Sequence, residues 1–334
     1  MIKKGNQTYE FEKEIFIADT YSVVGPKENE GPLKNYFHKV FSDDLCGKNS
    51  YECAEQHMCL TAVQEIIKTN YMNPDIYIGG DLLNQIITTA FTARQLSLPY
   101  WGVYTACASF GEAIQAASIC IEGGMNSAVI STSSHFSSAE RQYRTPLELG
   151  VQRPDWAQWT VTGAGAALIS NNDIDSNGIV IKSITVGKIS DYGVTDVDNM
   201  GAAMAPAAAD TIITYFEDNN VDSSYFDYII TGDLATCGSD ILVSLLNKNN
   251  IDIKDKHQDC GALIYDAKAQ HVYSGGSGAG CFAVVFCSYF YKLLCNRKIK
   301  RVLCVPTGAL LSTTSSQQGE SIPGVAHAFC VEVK

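Results

Sequence analysis

Positive charge is scarce in this chain of 334 residues: Lys and Arg total 24 against 36 Asp and Glu, for a formal net charge of -12. That balance argues against nucleic acid, which selects a basic face, and against simple adhesion to anionic lipid. Long apolar runs are also missing. No stretch approaches the roughly 18 apolar residues that span a bilayer, and the longest, Cys281–Phe290, reads as a buried segment. The opening residues MIKKGNQTYEFEKE have no apolar centre, so neither a signal peptide nor a transmembrane segment is expected. The 12 cysteines include no C-x-x-C pair and no metal-ligand spacing. They read as buried thiols of a reducing, intracellular compartment and not as a zinc site. Charged residues make up only 18% and apolar ones 46%, which suits a large core and excludes extensive disorder.

What is present is an alternation of strands and helices. Glu14–Ala18 reads as a first strand and Gly25–Pro32 as a polar turn region. Ala54, Met58, Leu60, Ala62, Ile66 and Ile67 recur at helical spacing, predicting a long helix over Tyr51–Tyr71. Asp75–Gly79 reads as a strand, with Asp81 at the mouth of a helix that runs to Ala93. Asn126–Ser131 and Thr160–Ser170 are buried strands. The order predicts an α/β fold with a mostly parallel sheet.

Near Asn177 the pattern restarts: a strand over Gly178–Ile189, a helix over Ala202–Asn219, a strand over Phe226–Thr231. PDIYIGGDLLN (Pro74–Asn84) matches FDYIITGDLAT (Phe226–Thr236), and VYTACASFG (Val103–Gly111) matches VYSGGSGAG (Val272–Gly280). NSAVIST (Asn126–Thr132) matches KRVLCVPT (Lys300–Thr307), and GAGAALIS (Gly163–Ser170) matches VAHAFCVEV (Val325–Val333). Buried strands resemble one another, but four matches in one order predict two similar halves, residues 1–176 and 177–334.

The stretch PYWGVYTACASFGEAIQA (Pro99–Ala116) carries the candidate chemistry. It reads as a short strand over Trp101–Tyr104, a tight turn at Cys107, then an amphipathic helix. Backbone N–H groups and the helix dipole at such a turn favour a thiolate, which is how a nucleophilic cysteine is built. Cys107 also fits a plain buried position among many cysteines.

A two-half α/β chain with a cysteine after TAC resembles the thiolase-like fold of the β-ketoacyl-carrier-protein synthases. TVTGAGAALIS is similar to the glycine-rich strand that closes their first half. The resemblance implies pseudo-repeated βαβ halves in a layered α-β-α-β-α arrangement. Active members add a histidine and an asparagine, or a second histidine, from the second half. Here the histidine position falls in ITGDL (Ile230–Leu234) and the asparagine position in SGGSG (Ser274–Gly278), where Gly276 pairs with Cys107. Neither stretch has a side chain suited to the lost role, and general acid–base help of roughly 10²–10⁴-fold goes with it. The sequence is therefore expected not to be an enzyme, with no catalytic residue assigned. An acyltransferase or condensing enzyme using Cys107 is the alternative.

Longer stretches narrow the resemblance: VGPKENEGPL (Val24–Leu33), GGDLLNQ (Gly79–Gln85), SSHFSSAERQYR (Ser133–Arg144), AQWTVTGAGAA (Ala157–Ala167), NMGAAMAPAAADTI (Asn199–Ile212) and TGALLSTTSSQQGESIPGVAHA (Thr307–Ala328). Together they resemble the stage V sporulation protein AD family of spore-forming Firmicutes. The resemblance implies non-enzymatic binding of dipicolinic acid (pyridine-2,6-dicarboxylate), alone or as its calcium chelate, for uptake into the developing spore. It also implies peripheral attachment at the spore inner membrane through the proteins of a membrane channel. No cofactor is expected beyond calcium arriving with the ligand, and fold analogy adds a homodimer.

The expected ligand-binding residues are Cys107, Ser133, Asp81 and His135. Cys107 carries over from the family's cysteine position. Ser133 is placed just past a strand end, where α/β sheets bind ligands, and His135 lies two residues on. Asp81 repels carboxylates and belongs in the site only as a helix cap, as a protonated acid, or beside calcium, which Asp233 could also approach. Arg141 and Arg144 suit a dicarboxylate but equally suit solvent or a subunit interface, so they are not assigned. The NRKIKR cluster (Asn296–Arg301) reads as a solvated helix end.

Overall fold

The computed structural model describes residues 1–144, 153–174 and 177–334. Residue 176, the expected end of the first half, lies outside them. The chain opens with a hairpin, β1 (Ile2–Lys4) and β2 (Thr8–Glu10). There follow β3 (Phe16–Val24), β4 (Lys39–Val40), α1 (Tyr51–Thr69), β5 (Ile76–Asp81), α2 (Ile87–Leu96), β6 (Tyr100–Gly102), α3 (Ser109–Glu122), β7 (Ser127–Ser134), α4 (Phe136–Tyr143), β8 (Gln158–Thr160) and β9 (Gly163–Ser170). Beyond them come β10 (Ile179–Thr185), α5 (Met200–Asn219), β11 (Tyr228–Gly232), α6 (Ala235–Lys248), β12 (His257–Asp259), α7 (Cys260–Ile264) and β13 (Gly275–Ser277). The chain ends with α8 (Ala279–Val285), α9 (Tyr291–Cys295), β14 (Arg301–Ala309), α10 (Thr313–Gln317), β15 (Gly324–Ala326) and β16 (Ala328–Val333).

The strands lie in the order β6-β5-β7-β9-β3-β10-β16-β14-β11-β12. Read from either end, the order repeats itself. In each direction three parallel strands meet an antiparallel pair, and the two arrays join at the single register pair Phe16–Val180. The quoted sequence matches fall on equivalent strands: β5 with β11, β7 with β14, β9 with β16.

Five layers follow from which faces are apolar. Helix α1 packs on β3, β7 and β9 and α2 on β5, covering the outside of one array, while α5 and α6 cover the outside of the other. Between the arrays lie α3 and α8, each touching strands of both. The core divides accordingly. Phe110 of α3, Phe282 of α8, Phe286 and Phe329 of β16 interlock in the middle, with ring centroids 5.6–6.0 Å apart for Phe110–Phe286, Phe282–Phe286 and Phe286–Phe329. The run Cys281–Phe290 is this central helix, passing from α8 through a π-helical turn into α9.

Several boundaries move from their expected places. The stretch Thr160–Ser170 is two strands, β8 pairing with β13 and β9 with β3 and β7. Strand β7 runs on to Ser134, so Ser133 lies inside it and not past its end. Asp81 is the last residue of β5, and α2 begins only at Ile87, after left-handed Gln85 and Ile86.

The glycines of GAGAALIS have a mechanical reason. A Cβ on Gly165 would stand 2.5 Å from the backbone carbon and oxygen of Ala283, so α8 lies directly on β9. Gly165→Ala should destabilise the fold by about 1–3 kcal/mol, the usual range for overpacking a tight core. Urea unfolding at constant m-value measures this, and a variant as stable as the parent would show that α8 yields freely.

Candidate functional site

The Cys107 turn is fixed from three sides. Ala106 has φ +52°, a left-handed conformation unfavourable for a residue with a Cβ. The Ser109 hydroxyl donates to the Ala106 carbonyl at 2.7 Å and accepts the Thr105 N–H at 3.1 Å, closing the turn. Strand β14 presses against it at Gly308, where a Cβ would sit 2.2 Å from the Thr105 oxygen. Cys107 thus precedes α3 by one short turn and is 5% exposed.

Its environment reverses the thiolate expectation. Burial pushes the Cys107 thiol well up, the Asp233 carboxyl pushes the same way, and backbone N–H groups only partly oppose them. Desolvation outweighs the helix mouth. The resting group is a neutral thiol.

A narrow cleft opens at this turn, with about 430 Å³ of empty space counted out into the solvent at its mouth. Its walls are mostly apolar: Leu82, Ala106, Ala139, Met200, Ala309 and Leu311, with Tyr104, Tyr143 and Thr160 supplying hydroxyls. Ser277 and Gly278 line it from the second half, and the Gly278 backbone faces the Cys107 thiol. Gly276, the partner of Cys107 in the sequence match, turns instead toward Ile264 and Tyr265. The Tyr104 and Tyr143 hydroxyls meet at 3.1 Å and divide this cleft from a neighbouring one beside Leu83–Ile86.

Of the four expected contact residues, only Cys107 lines the cleft. Asp81 is buried and fully engaged, accepting the Leu83 N–H, the Thr89 N–H and the Thr89 hydroxyl at 2.9 Å each. It caps α2 and fixes the turn that presents Leu82. Ser133 is buried and donates to Glu55 of α1 at 3.0 Å, and Ser138 of α4 donates to the same carboxylate at 3.0 Å. His135 caps α4: its Nδ1 accepts the Ser137 N–H at 3.1 Å and its Nε2 donates to the Asp44 carbonyl at 2.8 Å. These three residues hold Leu82, Ala139 and Tyr143 in place from behind the wall.

Asp233, equivalent to Asp81 in the matched stretches, has a different fate. It has φ +72° and is fully buried, and neither carboxylate oxygen closes a hydrogen bond of good geometry. Its polar neighbours are the Cys281 thiol and the Gly278 backbone. Capping of α6 passes to Asp259, which accepts the N–H groups of Leu234, Ala235 and Ala262 and the Thr231 hydroxyl at 2.7–3.1 Å. Burial first, then the Asp259 charge, pushes Asp233 well up. A buried acid, pushed toward its neutral form, thus stands in the stretch where the resemblance implies a histidine. No group of three His, Cys, Asp or Glu residues suited to a metal occurs among the described residues.

The residue that sequence reasoning left unassigned is Arg144. It lines the cleft and is the one charged side chain among the lining residues. A signal was present: Arg144 follows Glu140 by four residues, the spacing at which opposite charges pair along a helix. Arg141 points elsewhere and pairs with Glu52 in the solvent.

These features define a thiolase-like fold with a cysteine at the mouth of a cleft. Solved structures of similar fold include acetyl-CoA acetyltransferase from Syntrophomonas wolfei (TM-score 0.62, 11% identity, 96% of this chain and 100% of that one). Another is a variant of Xanthomonas campestris OleA bound with cerulenin (TM-score 0.60, 12% identity, 96% of this chain and 97% of that one). A third is 3-oxoacyl-acyl-carrier-protein synthase III from Aquifex aeolicus VF5 (TM-score 0.51, 12% identity, 99% of this chain and 100% of that one). The chain belongs to the stage V sporulation protein AD (SpoVAD) family, which it matches over residues 5–332. It is 44% identical over 332 residues to stage V sporulation protein AD of Bacillus subtilis (strain 168), covering 98% of this chain and 97% of that one. No helix among the described residues is long and apolar enough to cross a membrane.

Glu28, in the expected polar turn, is in fact buried beside the cleft's frame. It accepts the Thr162 N–H at 3.0 Å and the Tyr265 hydroxyl, and burial pushes it up to about 7. A carboxyl raised on folding contributes stability at low pH that is lost as pH climbs through the folded value. Glu28→Gln should therefore gain stability relative to the parent as pH rises from about 4.5 to about 7, and the difference should level off above that. Urea titrations of both proteins across this range test the sign, and a difference that shrinks with rising pH would overturn it.

Proposed function

We propose that this chain is a non-enzymatic binding protein for dipicolinic acid, taken free or as its calcium chelate, and that the Cys107 cleft is the binding site. The observation that carries the reading is the pairing of a mostly apolar cleft with a Cys107 thiol pushed toward its neutral form, with no histidine among the described residues that line the cleft. Such a cleft suits a small, flat ring, and its few convergent polar groups suit oriented carboxylates. Membership in a sporulation family supplies the context in which this ligand occurs. In this reading the protein captures the ligand at the spore inner membrane and passes it to channel proteins embedded there.

Acyl transfer at Cys107 is the second reading, favoured by the position of the thiol at the mouth of α3. It needs a proton acceptor. Asp233, held in its neutral form, is poorly suited to that role.

Calorimetric titration with dipicolinate, with and without calcium, tests the first reading. Cys107→Ala should weaken binding modestly, because it removes one small contact. Cys107→Phe should abolish it by filling the cleft, with folding checked by circular dichroism. Parent-like affinity in Cys107→Phe would place the ligand elsewhere. Mass measurement after incubation with acyl-CoA should show no turnover through an acylated Cys107, and turnover at enzyme rates would reverse the assignment.

A further inference from the structure

An apolar cleft is a poor host for an anion. Carboxylates entering it lose hydration that only charge or strong donors can replace. Arg144 is the single cation among the described residues of its wall, and its side chain is only 9% exposed. The guanidinium is incompletely used. Its Nη1 donates to Glu140 and its Nη2 contacts the Met200 sulfur at 3.7 Å. Among the described residues its buried Nε finds no hydrogen-bond acceptor, with Asp198 Oδ1 at 3.6 Å. A buried N–H left without an acceptor is an unfavourable arrangement that a ligand oxygen would relieve.

The charges around Arg144 are set so that it is not consumed internally. Glu140, 4% exposed, is bound on its other oxygen by Arg153 Nη2 at 2.5 Å. Arg153 is itself anchored: its Nη1 donates to the Gln158 carbonyl at 3.0 Å, and its guanidinium lies 5.2 Å from the Phe136 ring centre and 5.3 Å from that of Trp159. Two cations thus share one buried carboxylate. The other anion, Asp198, is 30% exposed and beyond hydrogen-bond distance of Arg144. Arg144 also lines a second cleft of about 600 Å³, with Arg153, Asp198, Thr313 and Gln317 on its walls. The guanidinium therefore stands where a ligand in either cleft can meet it.

We infer that Arg144 is the carboxylate anchor of the cleft and that Arg153 is a positioning residue, which neutralises Glu140 and leaves Arg144 charge available to a ligand. The inference rests on the dipicolinate reading for its ligand, but the chemistry is that of any small aromatic carboxylate. A guanidinium fork meets one carboxylate in two parallel hydrogen bonds, a geometry that an ammonium cannot reproduce. The ligand's second carboxylate falls to the hydroxyl and backbone donors of the opposite wall.

Calorimetry on the full chain with dipicolinate, picolinate and benzoate tests this. Arg144→Met should lose about ten- to a hundredfold in dipicolinate affinity, the worth of a charge-assisted hydrogen bond. Arg144→Lys keeps the charge beside Glu140 and should still lose affinity, about tenfold, for want of the fork. Arg153→Gln should weaken binding although Arg153 does not line the Cys107 cleft, and Arg153→Lys should restore it, a rescue that a purely structural role would not require to track ligand charge. Melting temperatures identify folded variants; if Arg144→Met fails to fold, Arg144→Lys decides. A folded Arg144 variant that binds dipicolinate within twofold of the parent overturns the inference. If the parent ignores dipicolinate but binds picolinate or benzoate in an Arg144-dependent way, the ligand assignment falls and the anchor stands. If no carboxylate binds in an Arg144-dependent way, the anchor falls as well.

Discussion

The close seating of two buried helices between two strand arrays is the constraint on which the rest depends. Helix α8 can lie on β9 only because Gly165 offers no Cβ to Ala283, and the turn before α3 can meet β14 only because Gly308 offers none to Thr105. The phenylalanines of the middle layer then lock both helices to both arrays. The mouth of α3, with Cys107, and the mouth of α8, with Ser277 and Gly278, are thereby forced together over one cleft. Neither half could build this site alone. The cleft is a consequence of packing two related halves face to face.

That origin explains what was legible in the sequence. The repeat could be read because equivalent strands carry equivalent burial, and the letters of β5 and β11, or β7 and β14, record it. Long periodic helices such as α1 declared themselves, with Ser50 capping the start by accepting the Cys53 N–H at 3.2 Å. The neighbourhood of the site could be read as well, since Asp81 and Ser133 are direct neighbours on β5 and β7. What could not be read was which side of a wall each residue serves. Ser133 lies within a strand buried on both faces, so a shift of a single position decides between cleft and interior. Its hydroxyl points to Glu55 in another layer, a contact between residues 78 positions apart that no local pattern announces. Arg144 was ambiguous for the converse reason: a long charged side chain at a helix end is ordinarily solvated, and only its ion pairs with Glu140 and Asp198 reveal it as buried.

The two equivalent aspartates show how a shared plan is turned to different ends. Asp81 keeps the structural task of capping the helix after its strand, with its oxygens occupied by donors at 2.9 Å. Asp233 occupies the matched place but is relieved of that task by Asp259, which closes the turn from the edge strand β12. Relieved of the capping task and removed from water, Asp233 is pushed toward its neutral form, and its ionised form would oppose a thiolate at Cys107. A histidine at the same place would have done the opposite, accepting a proton and stabilising the sulfur anion. An imidazole and a carboxyl at this place would therefore bias the pocket in opposite senses.

A site that suppresses its own nucleophile is well arranged for holding an anion unchanged. A thiolate would repel carboxylates and could attack activated acyl groups; a neutral thiol does neither and contributes a small, polarizable wall. The same low-dielectric setting that pushes Cys107 and Asp233 toward their uncharged forms strengthens the field of Arg144, the one basic side chain among the described residues that line the cleft. Burial thus acts on both signs at once. It disfavours negative charge where a carboxylate would approach in the proposed function, and it leaves positive charge where Glu140 and Arg153 hold it in place. On the binding function proposed above, the retained scaffold and the absence of a histidine beside the thiol serve one end: a pocket of condensing-type fold would hold a small acid and release it unchanged.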